Sequence, residues 1–268
     1  MSAIKTINLT KKYGDVVAVD NLCLEIAQGE LFALLGVNGA GKTTTVKMLS
    51  CLTKPTDGDA FVGGHSVVSE EAQVKRMIGV SPQETAVAPN LTVRENIELI
   101  CGICGYSKEK TLEKMNALTK EFTLSNVLSR RAGKLSGGWQ RRVSIAMALA
   151  TEPSVLFLDE PTLGLDVLAR RELWETILSL KGRVTVVLTT HYMEEAECLS
   201  DRIGIMKDGR LLTVATAREI IERTGEDNFE NAFVAVVRGR LDGSTDGSLD
   251  GSKDGSSDGE CSGNGGAV

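Results

Sequence analysis

The nine residues "GVNGAGKTT", Gly36 to Thr44, constrain this chain more than any other stretch. They fit G-x-x-x-x-G-K-[ST], with Gly36, Gly41, Lys42 and Thr43 in the fixed positions. The apolar run "LFALL" precedes them and the helical pattern "TTTVKMLSCL" follows. A strand, a glycine-rich turn and a helix in that order form a cradle for phosphate. The glycines let backbone N–H groups turn inward on a polyanion, and the helix N-terminus adds partial positive charge. The cradle comprises Gly36, Val37, Asn38, Gly39, Ala40, Gly41, Lys42, Thr43 and Thr44. Lys42 is placed to reach the β- and γ-phosphates of a nucleotide, and the Thr43 hydroxyl to bind Mg²⁺.

The rest of the chain alternates strand-like runs with longer helical patterns. "ELFALLG", "RMIGVSP", "SVLFLDE", "RVTVVLTTH" and "RIGIMKDGRL" read as strands. Unbroken apolar runs such as "VLFL" suit strands buried on both faces of a parallel sheet. Helices are expected over Lys42–Leu52, Val93–Cys101, Lys108–Phe122, Gly137–Thr151, Leu168–Leu180 and Ala217–Arg223. The first thirty residues read as short antiparallel strands. Residues from about 85 to 150 show helices and no convincing strand, which predicts a helical insert. The expected fold class is α/β: a mostly parallel sheet, an N-terminal antiparallel β subdomain and an inserted helical subdomain.

"SVLFLDEP" carries a second chemical element. The strand delivers Asp159 to its C-terminal end, where open α/β sheets bind ligands. A carboxylate there suits Mg²⁺. Glu160 follows, turned to the other side by strand alternation, in a position to orient or deprotonate a water.

Composition excludes several classes. No run of eighteen apolar residues exists, so no membrane span is expected. The N-terminal stretch lacks the pattern of a secretory signal, and a cytoplasmic location is the expectation. The net charge is −6, of which −5 falls from Asp242 onward, so the body has no basic footprint for nucleic acid. Residues 1–240 are expected to form the folded domain. Residues 241–268, an acidic Asp-Gly-Ser repeat, hold too little apolar surface to fold and are expected to be disordered. The six scattered cysteines favour reduced thiols, and the CxxC pair Cys101 and Cys104 has no partner pair to complete a zinc site.

Taken in order, "GVNGAGKTT", "SPQE", "LSGGW", "VLFLDEP", "LGLD" and "TTHYMEEAE" resemble the ATP-binding cassette (ABC) ATPases over about residues 1–237. The resemblance implies roles for further residues. Tyr13 corresponds to the aromatic that stacks on adenine, the alternative being a tyrosine packed at a strand end. Gln83 corresponds to a glutamine sensing Mg²⁺ and the attacking water, and His191 to a switch histidine at the γ-phosphate. Glu160, His191 and Gln83 then form the catalytic set, and Thr43, Gln83 and Asp159 the Mg²⁺ set. Ser136, Gly137 and Gly138 would act across a dimer, on ATP held by a second cassette subunit. Asp166 would lie in the loop linking the two sites. Trp139 and Leu163 depart from the family's common residues. His65 is read as structural.

"GVNGAGKTTT", "PNLTVRENI" and "NFENAFVAVV" resemble the subgroup that serves separate permeases of the ABC-2 exporter type. The implied cofactors are ATP and Mg²⁺. The implied partners are a second cassette, as homo- or heterodimer, and an integral membrane permease that would hold the chain on the inner face of the cell membrane. The other reading is a soluble cassette ATPase acting on ribosomes or DNA.

Overall fold

The computed structural model describes residues 2–240. The repeat over 241–268 lies outside the described residues. Two twelve-residue strands, β1 (Ser2–Tyr13) and β2 (Val16–Ala27), open the chain as an antiparallel pair. They are longer than the short strands expected. Next come β3 (Leu31–Gly36), the glycine turn and α1 (Lys42–Leu49). β4 (Asp57–Val62) pairs antiparallel with β1, and β5 (His65–Ser66) with β4, in the order β2-β1-β4-β5. α2 (Glu71–Met77) leads into β6 (Ile78–Ser81).

Three helices follow: α3 (Val93–Ile103), α4 (Lys108–Glu121) and α5 (Gly137–Ala150). α3 starts where "TVRE" places a capping box, the Thr92 side chain accepting from Glu95 N and the Glu95 carboxylate from Thr92 N. The remainder runs β7 (Val155–Asp159), α6 (Val167–Leu178), β8 (Thr185–Thr190) and α7 (Met193–Leu199). It ends with β9 (Arg202–Lys207), β10 (Arg210–Ala215), α8 (Ala217–Thr224) and α9 (Phe229–Val237).

The second sheet has the order β10-β9-β3-β8-β7-β6. Its pairs are parallel apart from the edge strand β10, which is antiparallel to β9. "RIGIMKDGRL", read as one strand, is two. Asp208 and Gly209 both take positive φ, 47° and 80°, and turn β9 back into β10.

β3 lies between two hydrophobic cores. Leu31, Ala33 and Leu35 join the core that includes α3, α5 and β8 residues, while Phe32 and Leu34 join the one shared with β1, β2 and α1. Burial on both faces is why "LFALL" is apolar at every position. Among the described residues no helix is long and apolar enough to cross a membrane. Cys51, Cys101, Cys104 and Cys198 are free thiols.

Candidate functional site

The parallel register sets the C-terminal ends of β3, β8 and β7 side by side, with Leu35 opposite Thr190 and Asp159 opposite Thr189. The chain leaves these three ends at Gly36, His191 and Glu160. Residues distant in sequence therefore meet at one edge of the sheet. A cleft of ≈460 Å³ opens there, lined by the glycine turn and first turn of α1 together with Ala18, Gln83, Glu160, Leu163 and His191.

Backbone geometry makes the cradle. Gly39 and Gly41 take φ of 83° and 101°, a region costly for residues with a Cβ. Gly41 is the N-cap of α1, which has no side-chain cap and no acidic residue in its first turn. Its orphan N–H groups and its positive dipole end are left for an anion. Lys42 is buried, its Nζ donating to Gly36 O at 2.8 Å and Val37 O at 3.2 Å, and 3.6 Å from Glu160 Oε1. Burial pushes this ammonium below the usual lysine value, against the opposing pull of Glu160 and Asp159.

Asp159 accepts from Thr43 Oγ1 at 3.1 Å and from Thr189 Oγ1. A hydroxyl and a carboxylate in contact are hard oxygen donors of the kind Mg²⁺ takes. Among the described residues no group of three His, Cys, Asp or Glu side chains could hold a metal alone. The Thr43–Asp159 pair supplies two oxygen donors and fits an ion that takes the rest of its shell from phosphate and water.

Strand alternation would send Glu160 away from Asp159. The backbone departs from the strand instead: Glu160 has φ 50°, and its N–H is shared between Thr189 O and Oγ1, each at 3.1 Å. This left-handed residue turns its carboxylate into the same cleft. There Oε2 lies 2.5 Å from His191 Nδ1. His191 is partly exposed and lies against Tyr192, ring centroids 4.1 Å apart.

Gln83 lines the cleft from the segment after β6. The buried Arg141 of α5 fixes that segment, Nη1 and Nη2 donating to the carbonyls of Pro82 and Gln83 at 2.5 Å each. Sequence reasoning missed Arg141 and Thr189. Nothing in "WQRRVSI" sets Arg141 apart from its neighbour Arg142, since its burial is visible only in the fold.

Other expected residues stand elsewhere. Ser136, Gly137 and Gly138 open α5, with Ser136 and Gly137 exposed and Ser136 forming no side-chain cap. None of the three lines the cleft of its own chain. Tyr13 is also outside the lining; the residue is 49% exposed, with Lys11 Nζ 5.0 Å from its ring centroid. Asp166 caps α6, accepting from Ala169 N at 2.9 Å.

Residues 19–163 match the family model described as ABC transporter. The chain is 42% identical over 214 residues to the doxorubicin resistance ATP-binding protein DrrA of Mycobacterium tuberculosis, covering 80% of this chain and 65% of that one. It is 41% identical over 216 residues to the Nod factor export ATP-binding protein I of Burkholderia orbicola, covering 80% and 71%. A dimeric ATP-binding cassette in a post-hydrolysis state, bound to ADP and Pi, superposes with TM-score 0.71 at 31% identity, covering 80% of this chain and 98% of that one. With the cradle, the acidic strand end and the histidine already converging on one cleft, the family match over more than half of its length places this chain in the ABC transporter family.

Proposed function

We propose that this chain is the ATP-binding and ATP-hydrolysing subunit of an ABC exporter. It works as a dimer of cassettes, on the cytoplasmic face of a membrane, and powers a separate permease. The observation that carries the reading is the convergence of Lys42, Glu160 and His191 on one cleft, with Asp159 held to its Thr43, while Ser136 to Gly138 are not among the residues that line it. The names of the relatives, which speak of drug resistance and of export, support transport over action on ribosomes or DNA.

The α1 N-terminus and Lys42 hold the β- and γ-phosphates by charge-assisted hydrogen bonds. Thr43 and Asp159, with Gln83, would hold Mg²⁺, which when bound neutralises phosphate charge. Glu160 orients or deprotonates the attacking water, and His191 fixes the carboxylate through its Nδ1 contact. Tyr13 stacks on the adenine. Ser136, Gly137 and Gly138 present a second uncapped helix N-terminus to the γ-phosphate of the partner cassette. ATP then bridges two subunits, and hydrolysis removes the bridge. Asp166, in the loop after Glu160, links the two sites.

Glu160→Gln tests this directly. It removes the base and spares the cradle, so turnover is expected to fall by about 10²–10⁴-fold while ATP still binds. Near-normal hydrolysis with intact folding would remove Glu160 from the reaction.

A further inference from the structure

Glu195 is a titratable group that the mechanism above leaves unused. It lies on α7, four residues past His191, and is fully buried. Trp174 Nε1, from α6, donates to its Oε1 at 3.2 Å. The hydroxyls of Thr190 and Thr162 face the same carboxyl. Thr190 immediately precedes His191, and its Oγ1 accepts from Tyr192 N at 2.9 Å. Thr162 stands two residues after Glu160 and is itself buried. One side chain therefore meets the segments that carry both members of the Glu160–His191 pair, and ties them to α6.

A neighbouring contact runs between the same elements. Arg170, one helical turn before Trp174, stands 4.9 Å over the Tyr192 ring, which lies against His191. Two atoms at the centre lack an aligned hydrogen bond, Glu195 Oε2 and Thr162 Oγ1. Buried polar atoms are costly when unpaired. A bond between the two satisfies both, the Thr162 hydroxyl donating to a carboxylate Oε2 or accepting from a protonated one, while Oε1 accepts from Trp174. Burial favours the protonated form, raising the carboxyl above the usual glutamate value although the hydroxyls and the indole pull the other way.

We propose that Glu195 is a positioning residue: it fixes the loop after Glu160 and the strand end before His191 against α6, so that the two side chains keep their mutual geometry. The inference rests on the roles proposed above for Glu160 and His191. Small displacements of a reacting group are enough to matter, since a misplacement of about 1 Å costs up to about 10²-fold in rate.

The test measures kcat, ATP affinity and thermal midpoint on the full chain for Glu195→Ala, Glu195→Gln, Thr162→Val and Glu160→Gln. Glu195→Ala is expected to lower kcat by about tenfold or more while ATP Kd moves by less than about threefold. Glu195→Gln, with a carbonyl for Trp174 and an amide N–H for Thr162, keeps most of the turnover. Thr162→Val keeps the side-chain volume and loses one hydroxyl. It lowers kcat at unchanged Kd, and it decides the question if Glu195→Ala does not fold.

Full turnover in both Glu195→Ala and Thr162→Val overturns the proposal. So does a Glu195→Gln variant as impaired as Glu195→Ala, or a Kd that fails together with kcat. Hydrolysis surviving in Glu160→Gln would instead sink the catalytic reading itself. Loss there, with full turnover in the other variants, removes the positioning role alone.

Discussion

Gly36 defines how little room the cradle leaves at the scale of one residue. A Cβ built there would stand 2.4 Å from Met206 O and 3.0 Å from the Ala40 Cβ. Both neighbours are fixed, one in β9 and the other in the turn itself, so the backbone must give. Gly36→Ala is expected to destabilise the fold by about 1–3 kcal/mol, as overpacking of a filled interior does. Scanning calorimetry checks it, and an unchanged midpoint would show that β3 and β9 can separate without loss. The cradle was legible in the sequence because its residues are contiguous and each has one mechanical reason to be there. Thr189 and Arg141 were not. Their partners Asp159 and Gln83 lie 30 and 58 residues away, and only the fold brings them together. The turn of Glu160 into the cleft was likewise hidden, because it depends on a left-handed backbone that strand alternation does not anticipate.

Among the elements, β3, β7 and β8 were legible because burial on both faces makes them apolar at every position. β4 was not: "DGDAFV" buries Ala60 and Val62 only because β1 supplies the neighbouring strand. α2 and α7, seven residues each, are too short and too charged to show a period. α7 nonetheless carries Glu195, whose charge state sets a stability trend. The carboxyl is held above its usual value of 4.5 by burial. The unfolded chain therefore releases this proton first, so stability is full below that value and declines as pH rises toward the folded value. A glutamine in its place has no proton to lose. The thermal midpoint of Glu195→Gln relative to the native chain is expected to rise as the pH is raised above the usual glutamate value of 4.5. A constant difference over that range would mean that Glu195 titrates alike in the folded and unfolded chains.

Over the whole molecule, the cleft and the α5 N-terminus each present an uncapped helix start, and on the proposed reading they are the two halves of one nucleotide site. Two copies packed head to tail would join each cradle to the other's Ser136–Gly138 turn, and the ATP held there would become the interface. Dimerisation and catalysis are then one event. The most direct measurement mixes two inactive subunits, Lys42→Ala with a disabled cradle and Ser136→Arg with a blocked signature turn, tagged so that mixed dimers are isolated. If the turn acts across the interface, both defects fall in one site and the other site is intact. The account predicts that the mixed dimer recovers ATP hydrolysis that neither parent shows. Isolated mixed dimers as inactive as their parents would contradict it.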